Sequence, residues 1–410
     1  MKQNGFIASS LLYGMLALFL VIMLNTLAIF TNNKLAMDRL KEKALNETEN
    51  DKTPASIRTI RNLLGRSFDI NGIPDEISQN NKNGLYKDSS EENRYIYRGD
   101  SETNQSSQHP VINYICLDEN TTGECSNQYL YRIISIETDG SIKVIKYNNS
   151  GGLIFDPGYK SQVGTENDIW KPKNSIVGTR YSNNSNDYCY SSDKTNYNGC
   201  NLWGSKSTIY PQINSFTPPS GPAYLNAYLN GDTYIGNGIT RKETGVIEHL
   251  YEHEHSTNEK IKDSIVSHKF NIGSVSSSST ELNEAIQSEK ATTWEGKIGL
   301  LNVTDYVNAS ANSECTSVNK YTIDANCYGN SKYNNWLYMN QNMWTITPDS
   351  QNHENQYYVK VSENGKLSSM GVKGTAYVYP VFYLKPNLKF TEATGDKNNP
   401  YRIKSNWQIK

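Results

Sequence analysis

The chain has 410 residues, and its 40 lysines and arginines nearly balance its 42 aspartates and glutamates, which gives a formal net charge of −2. This length allows one large domain or two ordinary ones, and the charge balance argues against a nucleic-acid partner. Only 36% of the residues are hydrophobic and tyrosines outnumber phenylalanines 29 to 9, which predicts a loop-rich body with a tyrosine-rich core. Codon bias is the favoured explanation of the tyrosine excess, and a recognition surface is the alternative.

The first predicted element is a transmembrane helix. Residues 6–30 carry no charge and follow a polar leader at residues 1–5. A helix of this length measures about 37 Å, and the hydrocarbon core of a bilayer is about 30 Å thick. By the positive-inside rule, the lysines and arginine at residues 34–43 favour a cytoplasmic location for the rest of the chain. The cysteine pairs described below favour the opposite orientation. A cleaved secretory signal is the weaker alternative, because no A-x-A site follows the long run.

A helical stem is predicted at residues 31–66 and a polar linker at residues 67–83. Within the stem, Thr53-Pro54 is typical of an N-cap followed by proline at the first helical position. A second short helix is therefore expected to begin there and to run to about Arg66.

From residue 84 the apolar period changes to two, which predicts a globular domain over residues 84–405 and a tail at 406–410. The clearest element is a hairpin, in which residues 129–136 and 142–147 are joined by a turn at Asp139-Gly140. Residues 223–230 fit either a helix or a strand. The remaining predicted elements are strands at 94–97, 297–303, 343–347, 357–361 and 378–384, a turn at Asn364-Gly365, and a helix at 245–268.

The six cysteines fall into three local pairs along the sequence. These are Cys116 and Cys125, Cys189 and Cys200, and Cys315 and Cys327. Six cysteines allow 15 pairings, but local pairing is the simplest, since each bridge would close a polar loop. No pair has the C-x2-C spacing of a zinc ribbon. Three bridges imply an oxidising compartment, and hence an extracellular body; six reduced thiols in a cytosolic domain are the alternative.

The N-terminus, QNG before Phe6 and a long apolar run, resembles the signal of type IV prepilins and pseudopilins. The resemblance implies cleavage after Gly5, methylation of Phe6, and packing of the apolar helix in a membrane or a filament. The family's glutamate at the fifth mature position falls on Ser10. This departure favours a minor, tip-type or merely anchored subunit over a filament builder.

Six motifs of the body, in their order and spacing, resemble a large group of surface proteins from Firmicutes-type gut bacteria. More distantly, they resemble domains with a C-type-lectin-like, formylglycine-generating-enzyme-like fold. The resemblance implies that fold and a place at the cell surface, but it brings no activity. The arginine usual before the proline of the fifth motif is Tyr379 here. The motifs are YIYRGD (95–100), YRIISIETDGSIKVIKYN (131–148), TTWEGKIGLLNVTDY (292–306), NWLYMNQNMWTITP (335–348), VYPVFYLKPNLKF (378–390) and TGDKNNPYRI (394–403).

Trp294, Trp336 and Trp344 lie inside these motifs. The default interpretation is that all three are structural residues of the core. The alternative is that they form a platform on which a sugar stacks, which requires exposed ring faces beside polar groups. They are the candidate binding residues of the sequence.

One segment matches the inverted zinc-protease pattern H-x-x-E-H, with His249, Glu252 and His253. On a helix the two histidines share one face, and the glutamate is a candidate base. The segment is polar throughout and lies between the shared motifs, so a solvated helix face is the default interpretation. The chain carries no G-x-S-x-G, Walker loop or G-x-G-x-x-G pattern, and the sequence indicates no cofactor.

The predicted fold class is α+β, with a long N-terminal transmembrane helix followed by a mostly β, loop-rich, C-type-lectin-like head. The predicted function is that of a membrane-anchored, pilin-like surface protein, not an enzyme, whose extracellular head binds a ligand. Expected partners are the membrane, other pilin-like subunits, and host or microbial glycans or proteins. The alternatives are a structural minor subunit of a type IV pilus-like filament and, less favoured, a zinc hydrolase acting through His249, Glu252 and His253.

Overall fold

The computed structural model divides the chain into two compact units, Met1–Thr53 and Pro54–Lys410. In the first unit the described positions before Thr53 are helical. The residues that the structure describes are 13, 15, 16, 19, 20, 23, 34, 53–117, 124–156, 185–190, 199–205, 208, 210–211, 216–218, 221–230, 234–235, 239–240 and 263–404.

The predicted fold class is wrong at its N-terminal end. Within the described residues the chain is mostly β-sheet with short helices, and none of these helices is long and apolar enough to cross a membrane. A span needs about 20 consecutive apolar helical residues, and the described part of the chain provides no such stretch. Most of the predicted span at 6–30 lies outside the described residues. The described positions in it are helical and exposed: Tyr13, Met15, Leu16, Phe19, Leu20 and Met23.

The described α-helices of the second unit are short, and five of the seven lie within residues 282–334. They are α1 (Ala55–Leu64), α2 (Tyr224–Asn230), α3 (Leu282–Lys290), α4 (Val303–Asn308), α5 (Val318–Ile323), α6 (Ala325–Tyr328) and α7 (Ser331–Asn334).

The strands are also short. They are β1 (Leu85–Lys87), β2 (Tyr95–Tyr97), β3 (Tyr114–Cys116), β4 (Leu130–Ile136), β5 (Ile142–Lys146), β6 (Gly152–Ile154), β7 (Tyr234–Ile235), β8 (Ile239–Thr240), β9 (Ile265–Val266), β10 (His268–Asn271), β11 (Thr293–Gly296), β12 (Ile298–Gly299), β13 (Met343–Pro348), β14 (Asn355–Lys360), β15 (Lys366–Gly371), β16 (Thr375–Tyr377), β17 (Val381–Leu384) and β18 (Tyr401–Arg402).

A nine-stranded sheet forms the centre of this unit. Its main path runs β1-β2-β4-β5-β17-β12, while β3 pairs with β4 and β18, and β9 pairs with β17. All of these pairings are antiparallel except that of β18 with β3. A second sheet has the order β15-β14-β13-β16-β6. Two small ribbons, β7-β8 and β10-β11, complete the described strands.

The predicted hairpin is confirmed as β4 and β5, which pair antiparallel from Tyr131 with Lys146 to Ile136 with Ile142. In the turn, Gly140 has φ 83°, a conformation that favours glycine. The Asp139 side chain accepts hydrogen bonds from the Ser141 backbone N–H at 2.8 Å and hydroxyl at 2.7 Å. Asp-Gly therefore closes the hairpin through the chemistry expected of it.

Most other predicted elements exist, but several are shorter than expected. The strand predicted at 378–384 begins only at Val381, directly after Pro380, which has no N–H to donate. The strand predicted at 297–303 is wrong beyond Gly299, because Asn302 and Asp305 form a capping box that starts α4. Residues 223–230 resolve as helix α2.

Residues 265–266 and 268–271 are strands, so the predicted helix over 245–268 is wrong at its C-terminal end. Residues 245–262 lie outside the described part of the chain. The strands predicted at 343–347 and 357–361 are confirmed as the antiparallel pair β13 and β14.

Three disulfides are present and match the predicted local pairs. Their Cα atoms are 6.0, 5.4 and 5.5 Å apart, in the order Cys116–Cys125, Cys189–Cys200 and Cys315–Cys327. No described cysteine is free. This bonding is consistent with an extracellular location for the domain.

The core is rich in aromatic residues, as the composition predicts. The largest fully buried side chains are those of Trp203, Trp336, Trp344, Tyr86, Tyr97, Tyr131, Tyr306, Tyr321, Tyr357, Tyr401 and Phe155.

Candidate functional site

Arg132 of β4 lies between two aromatic rings. Its guanidinium carbon is 4.5 Å from the ring centre of Tyr114 and 4.4 Å from that of Trp336, distances at which a cation is attracted to an aromatic face. The residue is only 3% exposed. The two rings therefore hold the guanidinium in one place.

Strand register and hydrogen bonds fix this arrangement. Tyr114 of β3 lies directly opposite Arg132 of β4, and the neighbouring Asn113 side chain accepts a hydrogen bond from Arg132 Nε at 2.8 Å. On the other side, the Trp336 carbonyl accepts from Arg132 Nη1 at 3.2 Å. The Trp336 indole donates to the Tyr97 carbonyl at 2.8 Å, so its ring is itself anchored.

The guanidinium of Arg132 keeps its positive charge although it is buried. Burial lowers the pKa of its guanidinium to about 10, although the nearby Glu102 carboxylate acts in the opposite direction. The group therefore stays protonated at neutral pH. Glu102 lies 3.4 Å from Nη1 with its side chain 39% exposed, so the buried cation is paired with a carboxylate at the surface.

Tyr147 directly follows β5, and its half-buried ring lies beside the ion pair of Arg132 and Glu102. Its hydroxyl donates to Glu102 Oε2 at 3.2 Å, and its ring centre is 5.9 Å from that of Tyr114. Lys397 donates to the Tyr147 hydroxyl at 2.7 Å and lies 4.6 Å from the ring centre. We define Glu102, Tyr114, Arg132, Tyr147 and Lys397 as the Tyr147 surface.

A tight loop positions Lys397. The Asp396 side chain accepts hydrogen bonds from the backbone of Asn398 at 2.8 Å and of Asn399 at 2.9 Å. Gly395 has φ 77°, and a Cβ there would lie 2.4 Å from the ring of Tyr401, so only glycine fits. The Asp396 carboxylate thus closes the turn.

A second tyrosine–lysine pair adjoins the loop that carries Glu102. The backbone N–H of Ser101 donates to the Tyr333 carbonyl at 3.0 Å. The Tyr333 ring is 46% exposed, and Lys332 Nζ lies 4.7 Å from its centre. An exposed aromatic ring with an amine beside it therefore lies next to the loop that carries Glu102.

Chemically, the Tyr147 surface is suited to binding. A half-buried aromatic ring offers an apolar face, while Glu102 accepts and Lys397 donates hydrogen bonds at its edge. Glu102, Arg132 and Lys397 together carry one excess positive charge.

A buried charge cluster lies elsewhere on the same sheet. Arg94 Nε is 2.8 Å from Glu137 Oε2, and the same guanidinium contacts Asp88. Burial would raise the pKa of Glu137, but the charge of Arg94 outweighs it and lowers this pKa to about 2. Arg94 Nη2 also lies 3.8 Å from Asp305 Oδ1. The members of the cluster are paired with one another.

His268 of β10 contacts Ser141 and Asp139 of the hairpin turn, but the three residues do not form a catalytic triad. Both Ser141 Oγ, at 3.2 Å, and Asp139 Oδ2, at 3.4 Å, approach the same His268 nitrogen, Nε2. In a triad the serine and the carboxylate contact opposite ring nitrogens. Here Nδ1 lies 3.1 Å from the Lys269 carbonyl, and the Ser141 hydroxyl donates to Asp139. His268 is therefore not arranged as a general base that would take a proton from the Ser141 hydroxyl.

The structure places the three predicted tryptophans largely inside the protein. Trp336 and Trp344 are 1% and 0% exposed, and the Trp344 indole donates to the Leu153 carbonyl at 2.8 Å. Trp294 is half-buried, with its ring centre 5.8 Å from that of Trp203 and 5.6 Å from that of Phe270. Trp336 and Trp344 therefore offer no exposed face on which a sugar could stack, although Trp336 forms one wall around Arg132.

Other predicted sites cannot be placed. Gly5 and Phe6, and His249, Glu252 and His253, lie outside the described residues. Among the residues that are described, no group of three or more histidine, cysteine, aspartate or glutamate side chains is placed to hold a metal ion.

Sequence reasoning missed Glu102, Tyr147 and Lys397, although Tyr147 and Lys397 lie inside two of the motifs. Tyr147 ends the hairpin segment IKVIKY, and Lys397 lies in TGDKNNPYRI. The signal that the sequence offered was an aromatic residue at a strand end together with a polar loop in a shared motif.

Comparisons of the chain with protein-family models, curated proteins and solved structures find no match.

Proposed function

We propose that this chain is an extracellular recognition protein whose Pro54–Lys410 unit binds a glycan at the Tyr147 surface. The location rests on the three disulfides, which form and persist in oxidising compartments. The binding role rests on the geometry around Tyr147. A protein ligand and a purely structural role in a pilus-like filament are the competing outcomes.

The single observation that carries the proposal is the placement of Tyr147. Its ring is half-buried, and its hydroxyl lies between the Glu102 carboxylate at 3.2 Å and the Lys397 amine at 2.7 Å. A pyranose has an apolar face for the ring and hydroxyls for the two charged groups. Behind the ring, Tyr114 and the caged Arg132 keep the surface rigid, which limits the entropy lost on binding.

The test is a glycan array probed with the purified full-length chain, with its disulfides intact, followed by titration of any hit. We expect Tyr147→Ala to weaken binding about 30-fold, the effect of losing one aromatic hot spot of about 2 kcal/mol. Lys397→Ala should weaken it less, because a rim charge contributes mainly to the association rate.

The matched control is Tyr338→Ala, which removes another half-buried tyrosine, whose hydroxyl donates to Asn340 at 3.3 Å. This variant should bind as the wild type does. Equal affinity of the Tyr147→Ala and wild-type proteins for the glycan would place the site elsewhere. A folded protein that binds no glycan would remove the glycan-binding role altogether.

A further inference from the structure

Lys143, Asn302 and Asp305 meet in the interior of the protein. Lys143 Nζ is 3.3 Å from Asn302 Oδ1 and 2.5 Å from Asp305 Oδ2. The three residues are 3%, 2% and 9% exposed. An amine, a carboxamide and a carboxyl group are thus held in contact away from bulk water.

Rigid elements hold these groups in place. Lys143 lies in β5, which is flanked by β4 and β17 in the central sheet, and its Nζ is 5.8 Å from the ring centre of Tyr383. Asn302 is the N-cap of α4, and its backbone N–H donates to Asp305 Oδ2 at 3.2 Å. The Asn302 side-chain amide donates to the Asn271 carbonyl at 2.8 Å. The amide is therefore anchored at both its nitrogen and its oxygen.

We propose that Lys143 and Asn302 form an intramolecular isopeptide bond, with Asp305 as the group that moves the protons. The lysine nitrogen bonds to Cγ of Asn302, the bond from Cγ to Nδ2 breaks, and one ammonia is released. The product joins the middle of the central sheet covalently to the start of α4, 159 residues away in sequence.

The proton balance of the step closes within the three groups. The ammonium of Lys143 passes one proton to Asp305 across their hydrogen bond, and the neutral amine attacks Cγ. Asp305 returns this proton to the leaving nitrogen, and the second proton that the attacking nitrogen loses follows the same route. The leaving group departs as ammonium, the carboxylate is restored, and neither an oxidant nor a second reactant is needed.

The neighbouring charges make the reaction slow without blocking it. Burial disfavours the ammonium of Lys143, but the Asp305 carboxylate outweighs burial and raises the pKa of the amine. Arg94 Nη2, 3.8 Å from Asp305 Oδ1, also favours the carboxylate. The reactive neutral pair is therefore a minor state. One turnover per molecule is enough, because the product is permanent and proximity replaces a bimolecular encounter.

The test is the intact mass of the full-length protein after reduction of its disulfides. We expect it to be one ammonia lighter than the sequence requires, and we expect proteolysis to give one branched peptide containing both Lys143 and Asn302. Lys143→Met, Asn302→Ala and Asp305→Asn should each restore the full sequence mass. Lys146→Met, a change on the same strand, should leave the mass deficit in place.

Two results would overturn the proposal. One is a full sequence mass for the folded wild-type protein after prolonged incubation, a measurement that does not depend on any variant folding. The other is a deficit caused by a succinimide, for example at Asn364-Gly365, which hydroxylamine would remove. An isopeptide bond resists that reagent.

Discussion

Glu289 is a buried carboxyl group that is held by hydroxyls. It is 1% exposed, and it accepts hydrogen bonds from the Thr347 hydroxyl at 2.6 Å and from the backbone N–H of Thr304 at 3.3 Å. In the part of the chain that the structure describes, no lysine or arginine forms an ion pair with it. Burial raises the pKa of Glu289 from its ordinary value of 4.5 to about 7, and the nearby Asp305 charge acts in the same direction.

This shift makes the stability of the fold depend on pH. Below about pH 4.5 the carboxyl is protonated in both the folded and the unfolded chain, so it has no effect. Between about 4.5 and 7 the unfolded chain loses the proton first, so the free energy of unfolding falls as pH rises, by about 3 kcal/mol in all. Above about pH 7 the loss is complete.

Glu289→Gln should remove this loss. Glutamine is neutral at every pH and can still accept a hydrogen bond at its amide oxygen. We expect the variant to be more stable than the wild type at pH 8, by at most about 3 kcal/mol, and about equal to it at pH 4.5. Urea unfolding at the two pH values measures this. Glu284→Gln, an exposed change on the same helix, is the control, and an equal pH dependence in all three proteins would contradict the argument.

The β4–β5 hairpin shows how one turn joins two elements. Gly140 at its tip packs against the start of α1: the Thr59 hydroxyl donates to the Gly140 carbonyl at 2.7 Å. A Cβ at position 140 would lie 2.8 Å from the Ala55 carbonyl oxygen. The glycine is therefore needed both for its positive φ and for the close approach of the helix.

A pair of glycine substitutions separates these two causes. Gly140 and Gly151 have φ 83° and 96°, but a Cβ at Gly151 would have nothing within 4 Å. Gly151→Ala should cost only the left-handed strain of about 1–2 kcal/mol. Gly140→Ala should cost about 1–3 kcal/mol more, because α1 must shift. Chemical denaturation measures both, and equal losses would show that the contact between helix and turn contributes nothing.

The hairpin was predictable from sequence because its information is local. Alternating β-branched residues and Asp139-Gly140 lie within one short segment, and the structure pairs them as expected. The strand predicted at 297–303 failed for an equally local reason: Asn302 and Asp305 cap a helix, and the apolar run LLNV concealed that signal. The disulfides followed from spacing alone.

The candidate site was not predictable, because its members are distant in sequence. Tyr147 and Lys397 are 250 positions apart, and Arg132 and Trp336 are 204 apart. Nothing local tells whether Trp336 turns a face to solvent or to Arg132. Only the pairing of β3 with β4 and the close packing of Trp336 decide it.

For the whole molecule, the disulfides are expected to decide whether the second unit stays folded. They close short loops, with sequence separations of 9, 11 and 12 residues. By the chain-entropy estimate each contributes about 3 kcal/mol, so the three together approach the total stability of an ordinary domain, about 5–15 kcal/mol.

Reduction should therefore unfold the protein or bring it close to unfolding. We expect the urea midpoint of the full-length chain to fall by more than half in the presence of a strong reductant. Tryptophan fluorescence can follow the change, because Trp203, Trp336 and Trp344 are buried in the folded protein. The control is a cysteine-free protein of similar size, whose urea midpoint the reductant should leave unchanged. An unchanged midpoint with all six thiols shown to be free would mean that the tyrosine-rich core suffices without the bridges. The extracellular location would then lose its main physical support, because a domain that is equally stable in reduced form has no need of an oxidising compartment.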